Sequence, residues 1–239
     1  MRVLAVVPAR GGSKGIPNKN ILPIGGRPLL GRTIKAVRSC CLISDVLVTT
    51  DDNIIADLAR QFGAEVVERP QVLAEDYVTS EAVLLHACES WEQRTGLYYD
   101  LLLLPQNTSP FHDAADMERI ICKIASGPFN SCITVVPTSR YFWSTEEDGT
   151  AAMVHQKRAP RQQRSPLYEE AGSLYCVRYD HFRRTGNLFA APTGIVEVPW
   201  WKSVEVDEPS DIELAEFVCA VYEGSEAAGG AGNPRLIGQ

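Results

Sequence analysis

The chain has 239 residues, 45% hydrophobic and 22% charged, with a formal net charge of −7. That balance supplies a packed core and excludes global disorder. It also argues against a general nucleic-acid binder, which would carry a basic face or stripe, so any anionic ligand must meet a local concentration of basic residues.

Val3–Val7 is an apolar run closed by Pro8, as a buried strand would be. Ala9–Asn20 holds three glycines, a proline and several polar side chains and reads as a loop. Pro28 opens a helix with Leu29, Leu30, Ile34 and Val37 on its apolar face, and Val46–Thr49 is a second strand. Asp52 caps a helix expected to turn Ile54, Ile55, Leu58 and Phe62 inward and to end at Gly63, before a strand at Ala64–Val67. Thr79 or Ser80 caps the next helix, with Val83, Leu84, Ala87, Cys88 and Trp91 inward. Leu101–Leu104 is apolar at every position, as expected of a strand covered on both faces. Asp113 caps a helix with Met117, Ile120, Ile121 and Ile124 inward, and Ile133–Val136 is a further strand. This alternation predicts an α/β fold: a doubly wound, mostly parallel sheet with helices on both faces.

After Pro137 the rhythm lapses. Residues 141–179 lack helical periodicity and are rich in turn formers and basic side chains, which suggests a β-rich excursion from the sheet. Val196–Val206 returns to extended structure, and Pro209 opens a last helix with Leu214, Phe217, Val218 and Val221. A Gly/Ala-rich stretch begins near Gly224, so the expected domain is 1–223, followed by a frayed tail at 224–239. Seven cysteines show neither zinc spacing nor an even disulfide framework. No apolar run approaches the roughly 20 residues of a membrane span, and the first residues lack a signal-type region. The expectation is a cytoplasmic protein with free thiols and no membrane partner.

In sheets of this type ligands sit beyond the carboxyl ends of strands, where the loop after the first strand lies. Its glycines allow close backbone approach and an anion nest, while Arg10, Lys14 and Lys19 bring three cations into this short stretch of an acidic chain. A triphosphate requires that combination, although a solvated glycine turn with surface lysines carries the same residues. The loop is neither GxxxxGK[ST] nor GxGxxG, so it is not a P-loop or a dinucleotide fingerprint.

The stretch Pro8-Ala9-Arg10-Gly11-Gly12-Ser13-Lys14-Gly15-Ile16-Pro17-Asn18-Lys19-Asn20 closely resembles the signature of the CMP-sialic acid synthetases, the acylneuraminate cytidylyltransferases. Further similar stretches are Thr49-Thr50-Asp51, Glu68-Arg69-Pro70, Leu73-Ala74-Glu75-Asp76, Gln106 with Thr108-Ser109-Pro110, Arg161-Gln162-Gln163, Gly172-Ser173-Leu174-Tyr175 and Ser203–Glu216. The resemblance runs from about Val3 to Ala215. It implies that the excursion at about 138–185 is a dimerisation element and that the protein is a homodimer.

The resemblance also implies residue roles. Arg10, Gly11, Gly12, Ser13 and Lys19 would hold the triphosphate of CTP, and Asn20, Arg69 and Ser80 would contact the cytidine. Gln106, Arg161, Tyr175, Leu188 and Phe189 would face the acceptor, a small sugar acid whose carboxylate needs a basic partner. In Glu205-Val206-Asp207 a strand would point both carboxylates to one side, where they would bind Mg²⁺, with Asp207 as the main ligand. By composition alone, Asp207 or Glu208 equally suits a cap for the helix at Pro209. The implied reaction is attack of an anomeric hydroxyl on the α-phosphate of CTP, with Arg10, Lys19 and Asp207 as the catalytic residues. Glu205 stands where the family pattern has an aspartate at the metal; the other departures fall on the acceptor side, with His112 for an arginine, Tyr141-Phe142 for a His-Pro pair and Glu169 for a basic residue. Another nonulosonic acid, an amino-octulosonic acid, or a small phosphonate or carboxylate remains open as acceptor, and so does a non-catalytic nucleotide-binding regulator.

Overall fold

The computed structural model describes residues 1–154, 162 and 165–223. Seven strands form one sheet: β1 (Val3–Pro8), β4 (Asp45–Thr50), β5 (Glu65–Glu68), β6 (Leu101–Pro105), β7 (Ser131–Thr138), β10 (Leu167–Arg178) and β11 (Thr193–Glu197). Their order is β11-β7-β10-β6-β1-β4-β5. All neighbours pair parallel except β10, which runs antiparallel to both β6 and β7.

The period of two sorts the strand residues between two apolar layers. Leu4, Val6, Leu102 and Leu104 face α3 (Ser80–Thr95) and α5 (Tyr179–Thr185), packing on Leu84, Trp91 and Phe182. Val3, Ala5, Leu101 and Leu103 face α1 (Leu29–Ser39) and α4 (Ala114–Ser126), packing on Val37, Ile120 and Ile121. Val7 and Val48 continue that second layer under α1 and α2 (Asn53–Gln61). Both faces are covered, which explains why β1 and β6 are apolar throughout. A fourth cluster joins Ile16, Phe111, Val204 and Val206 to α6 (Pro209–Val218), closing one end of the sheet.

Local chemistry sets the helix starts. Asp52 accepts from the Ile54 and Ile55 amides at 2.8 and 3.0 Å, and Asp113 accepts from the Asp116 amide at 2.9 Å. Thr79, not Ser80, caps α3, by accepting from Ala82 N. The Asp52 cap also fixes the phase of α2: Ile55, Ala56 and Ala59 turn inward while Ile54 is exposed, contrary to the apolar face expected for it. In α6 the buried residues are Ala215 and Val218; Leu214 and Phe217 face outward.

The sheet also reclaims much of the segment expected to leave it. β10 is a central strand, and residues 179–185 form α5, a helix rather than β structure. What stands outside is a hairpin of β8 (Trp143–Thr145) and β9 (Ala151–Met153), which forms a separate two-stranded sheet. A second small hairpin, β2 (Pro23–Ile24) with β3 (Arg27–Pro28), precedes α1. The extended stretch expected at 196–206 is interrupted: β11 ends at Glu197 and a 3-10 turn at Trp200–Ser203 follows. Residues 224–239 lie outside the described residues. No helix among the described residues is long and apolar enough to cross a membrane.

Candidate active site

The carboxyl ends of β1, β4, β5 and β6 lead into the loop at 9–20, Asp51, Arg69 and Gln106, so these groups gather at one end of the sheet. The reversed direction of β10 brings the residues before its central portion to the same end: Leu174 pairs with Pro105, and Gln106 N donates to the Ser173 carbonyl at 2.9 Å. Two adjoining clefts result, sharing Pro8 and Arg10. One is lined by Ser13, Lys14, Lys19, Gln106 and Asp207; the other by Arg69, Asp76 and Ser80.

The phosphate-type loop is anchored from behind. Gly11 N donates to Asp51 Oδ1 at 3.1 Å, and Ser13 N turns back to the Gly11 carbonyl at 3.2 Å. Buried Asn20 donates from Nδ2 to the Arg10 carbonyl at 2.7 Å and accepts from Asn107 Nδ2 at 2.6 Å. The Asn20 amide thus braces the loop from within, through one donated and one accepted hydrogen bond. Asn107 is 3% exposed, and its Oδ1 has no partner among the described residues. Arg69 is buried rather than a surface arginine, and donates to the Thr49 carbonyl at 2.7 Å. Burial lowers its pKa to about 10; Asp51 opposes that shift and Arg10 adds to it. Gly12 and Ser80 lie open to solvent.

The carboxylate segment obeys the expected alternation although it is not a sheet strand. Val204 and Val206 are buried, and Val206 N donates to the Thr108 carbonyl at 2.8 Å, which leaves Glu205 and Asp207 directed away from that core. Lys19 Nζ meets Asp207 Oδ1 at 2.7 Å. The backbone of Gly15 packs so closely on the Asp207 carbonyl that a β-carbon there would overlap it. Gly172, at φ +64°, leaves room for the Glu205 carboxylate in the same way. Burial, then the charges of Asp207 and Glu170, raise the Glu205 pKa. The helix at Pro209 is capped by Glu208 and Asp211 in a reciprocal box, which frees Asp207 from that duty.

Of the residues expected to face an acceptor, Tyr175 and Leu188 are buried and belong to one cluster, and Phe189 packs edge-on to Tyr175 with centroids 6.0 Å apart. Tyr175 donates to Glu170, and burial followed by that carboxylate raises the phenol pKa. Arg161 lies outside the described residues. Glu169 faces Arg140 at 3.7 Å. Asp51, Asp76, Asn107 and Glu170 belong to the site without having been assigned a role from sequence. Asp51 and Asp76 sit in stretches of the family pattern, whereas Asn107 and Glu170 carry no local signal.

The fold and these clefts define a nucleotidyltransferase of the doubly wound α/β type. Residues 4–175 match the cytidylyltransferase family model. The chain is 30% identical over 227 residues to the CMP-N,N'-diacetyllegionaminic acid synthase of Legionella pneumophila, spanning 90% of this chain and 95% of that protein. It is 26% identical over 219 residues to the N-acylneuraminate cytidylyltransferase of Escherichia coli, spanning 90% of this chain and 51% of that protein. The chain belongs to the cytidylyltransferase family. A solved structure of CMP:2-keto-3-deoxy-manno-octonic acid synthetase complexed with CTP shares the fold, with a TM-score of 0.70 at 16% identity over 92% of this chain and 99% of that one.

Behind the site, Lys202 bridges Asp113 and Asp116 at 2.5 Å each, and His112 lies against this group. His112 is 4% exposed, and neither ring nitrogen has a well-formed hydrogen-bond partner among the described residues. Burial, and then Lys202, lower its pKa from 6.5 to about 4, against smaller opposing pulls from Asp113 and the Ser109 backbone. The unfolded chain therefore binds a proton that the folded chain refuses between these two values. Stability is full above about pH 6.5 and falls as the pH drops towards about 4, a loss on the order of 3 kcal/mol. Urea unfolding across this range should show that slope in the wild type and a shallower one in His112→Phe. Parallel profiles would mean that His112 does not enter the fold as a neutral ring.

Proposed function

We propose that the protein transfers the cytidylyl group of CTP to the anomeric hydroxyl of a 2-keto-3-deoxy sugar acid, sialic acid or a related nonulosonic acid, and releases pyrophosphate. The observation that carries this reading is the meeting of Arg10, Lys14 and Lys19 with Asp207 in one cleft. Cations for a triphosphate and a carboxylate for a metal share a wall there, next to the cleft that the buried Arg69 lines.

In this reading the amides of Gly11 and Gly12 and the Ser13 hydroxyl cradle phosphate oxygens. Arg10 and Lys19 neutralise charge that builds on the departing β- and γ-phosphates. Arg69 and Ser80 flank the base, and Asn20 keeps the loop at the height the base requires. Gln106, Tyr175, Leu188 and Phe189 orient the acceptor, and Arg161 is proposed as the partner of its carboxylate on the resemblance alone. Positioning and charge neutralisation thus account for most of the rate.

The carboxylates fit Mg²⁺. Among the described residues no group of three or more His, Cys, Asp or Glu could hold a metal by itself. Mg²⁺ needs no such cage, since one or two carboxylates together with substrate phosphates hold it. Asp207 would be the main ligand and Glu205 the second; burial first, and then the charge of Asp207, raise the Glu205 pKa, and a cation would relieve the repulsion between the two. When bound, the ion supplies Lewis-acid polarisation of the reacting phosphate.

We also propose a homodimer. The β8–β9 hairpin exposes Phe142, Trp143 and Val154, with Tyr168 nearby in sequence on β10, and an isolated two-stranded hairpin is marginal in water. A second copy would cover these side chains. The seven free cysteines support a reducing, cytoplasmic setting.

Pyrophosphate release from CTP and Mg²⁺ with a panel of nonulosonic and octulosonic acids tests the reaction. At least one nonulosonic acid should support turnover, and no release with any acid contradicts the proposal. Asp207→Asn should lower the rate roughly 100-fold or more, whereas Glu205→Gln should mainly raise the Mg²⁺ concentration needed. A near-normal rate and Mg²⁺ dependence in Asp207→Asn would remove the metal from the account. Light scattering at micromolar protein should give twice the chain mass, and Trp143→Glu should shift it towards the monomer. A wild-type monomer contradicts the dimer.

A further inference from the structure

Arg10 and Lys14 are already occupied. Arg10 Nη2 meets Asp76 Oδ1 at 2.8 Å, Arg10 Nη1 donates to the Ala74 carbonyl at 3.0 Å, and Lys14 Nζ pairs with the other Asp76 oxygen. Asp76 comes from the segment between Arg69 and α3, 66 residues away in sequence from Arg10. Its carboxylate, in the lining of the base-side cleft, therefore reaches the phosphate-side cleft through Arg10, which both clefts share, and through Lys14. Hydrogen bonds from Lys14, then Arg10, lower the Asp76 pKa and keep it charged.

We propose that Asp76 is a specificity residue of the nucleotide site: it holds Arg10 and Lys14 in the free enzyme, yields them to a pyrophosphoryl group and reclaims them as pyrophosphate leaves. This rests on the reading of the cleft as a CTP site. The chemistry is a competition between anions for one pair of cations. A carboxylate offers a single charge and two oxygens. A pyrophosphoryl group offers more charge and more acceptors in the reach of the same arginine fork, so it wins. A ligand with one phosphate at the base end has no comparable advantage. The exchange subtracts from the affinity of every ligand that uses Arg10 and Lys14, and leaves untouched those that do not. Asp76 thus sorts ligands by the length of the phosphate chain and shortens the residence of the leaving group. The effect is modest because the Asp76 side chain is 43% exposed.

The test is titration calorimetry at low salt with inorganic pyrophosphate, CTP and CMP on the wild type, Asp76→Asn, Asp76→Glu and Glu65→Gln. Asp76→Asn keeps the shape and removes the charge. It should bind pyrophosphate and CTP roughly five-fold more tightly, the size of a weak ion pair lost, with CMP unchanged. Asp76→Glu should stay near the wild type. Glu65→Gln makes the same charge change at an exposed carboxylate that lines neither cleft and pairs with Arg94 instead, and should leave all three affinities alone. Equal or weaker pyrophosphate binding in Asp76→Asn, or equal tightening in Glu65→Gln, overturns the proposal while the CTP site stands. No binding of CTP or pyrophosphate by any of the four proteins overturns the reading of the site, and this proposal with it.

Discussion

The site depends on the contact between two segments 188 residues apart in sequence: Lys19 from the glycine loop and Asp207 from the stretch before α6, paired at 2.7 Å. Gly15 lies against the Asp207 carbonyl with no room for a side chain, so backbone and charge both hold the loop to the carboxylate segment. An acidic protein that concentrates three cations in one loop must balance them when no ligand is present. Asp207 balances Lys19, and Asp76 balances Arg10 and Lys14. Two carboxylates against three cations leave about one net positive charge in this set, and in the proposed reading a polyphosphate exchanges these weak internal anions for a strong external one.

The scaffold brings these groups to one place. Strand carboxyl ends deliver the loop, Asp51, Arg69 and Gln106 to one edge, as doubly wound sheets do. The antiparallel β10 is the departure from that plan, and it brings Gly172, Glu170 and Tyr175 to the nucleotide edge, where a further parallel strand would have carried them the other way. Of the residues proposed to meet the acceptor, Tyr175 thus comes from the reversed strand, whereas Gln106 follows parallel β6 and Leu188 and Phe189 follow α5.

What could be read from sequence divides along the same line. Strands β1 and β6, the caps at Asp52 and Asp113 and the glycine loop were legible because each is set by neighbours in the chain. The Glu205 and Asp207 pairing was legible from alternation alone, and the burial of Val204 and Val206 shows why it holds outside a sheet. Ile54 was misplaced because its apolarity was weighed without the phase that Asp52 imposes. The place of β10 was not legible, since its residues carry no clean alternation and its neighbours are chosen by long-range pairing. The bridges of Asp76 to Arg10 and of Lys202 to Asp113 and Asp116 were hidden for the same reason: each joins residues distant in the chain.

If the paired clefts are a CTP site, with phosphates at the glycine loop and the base beside Arg69, the protein must tell nucleotides apart by their bases. Calorimetric affinities for CTP, UTP, ATP and GTP under identical Mg²⁺ test it directly. The purines differ in size from a cytosine, and uracil exchanges the 4-amino donor for an acceptor, so a base pocket built from directional partners should refuse both. CTP should bind tightest, by roughly ten-fold or more over UTP. Equal affinity for UTP and CTP would mean that the cleft reads only the triphosphate, and would contradict the assignment of cytidine to the side of Arg69.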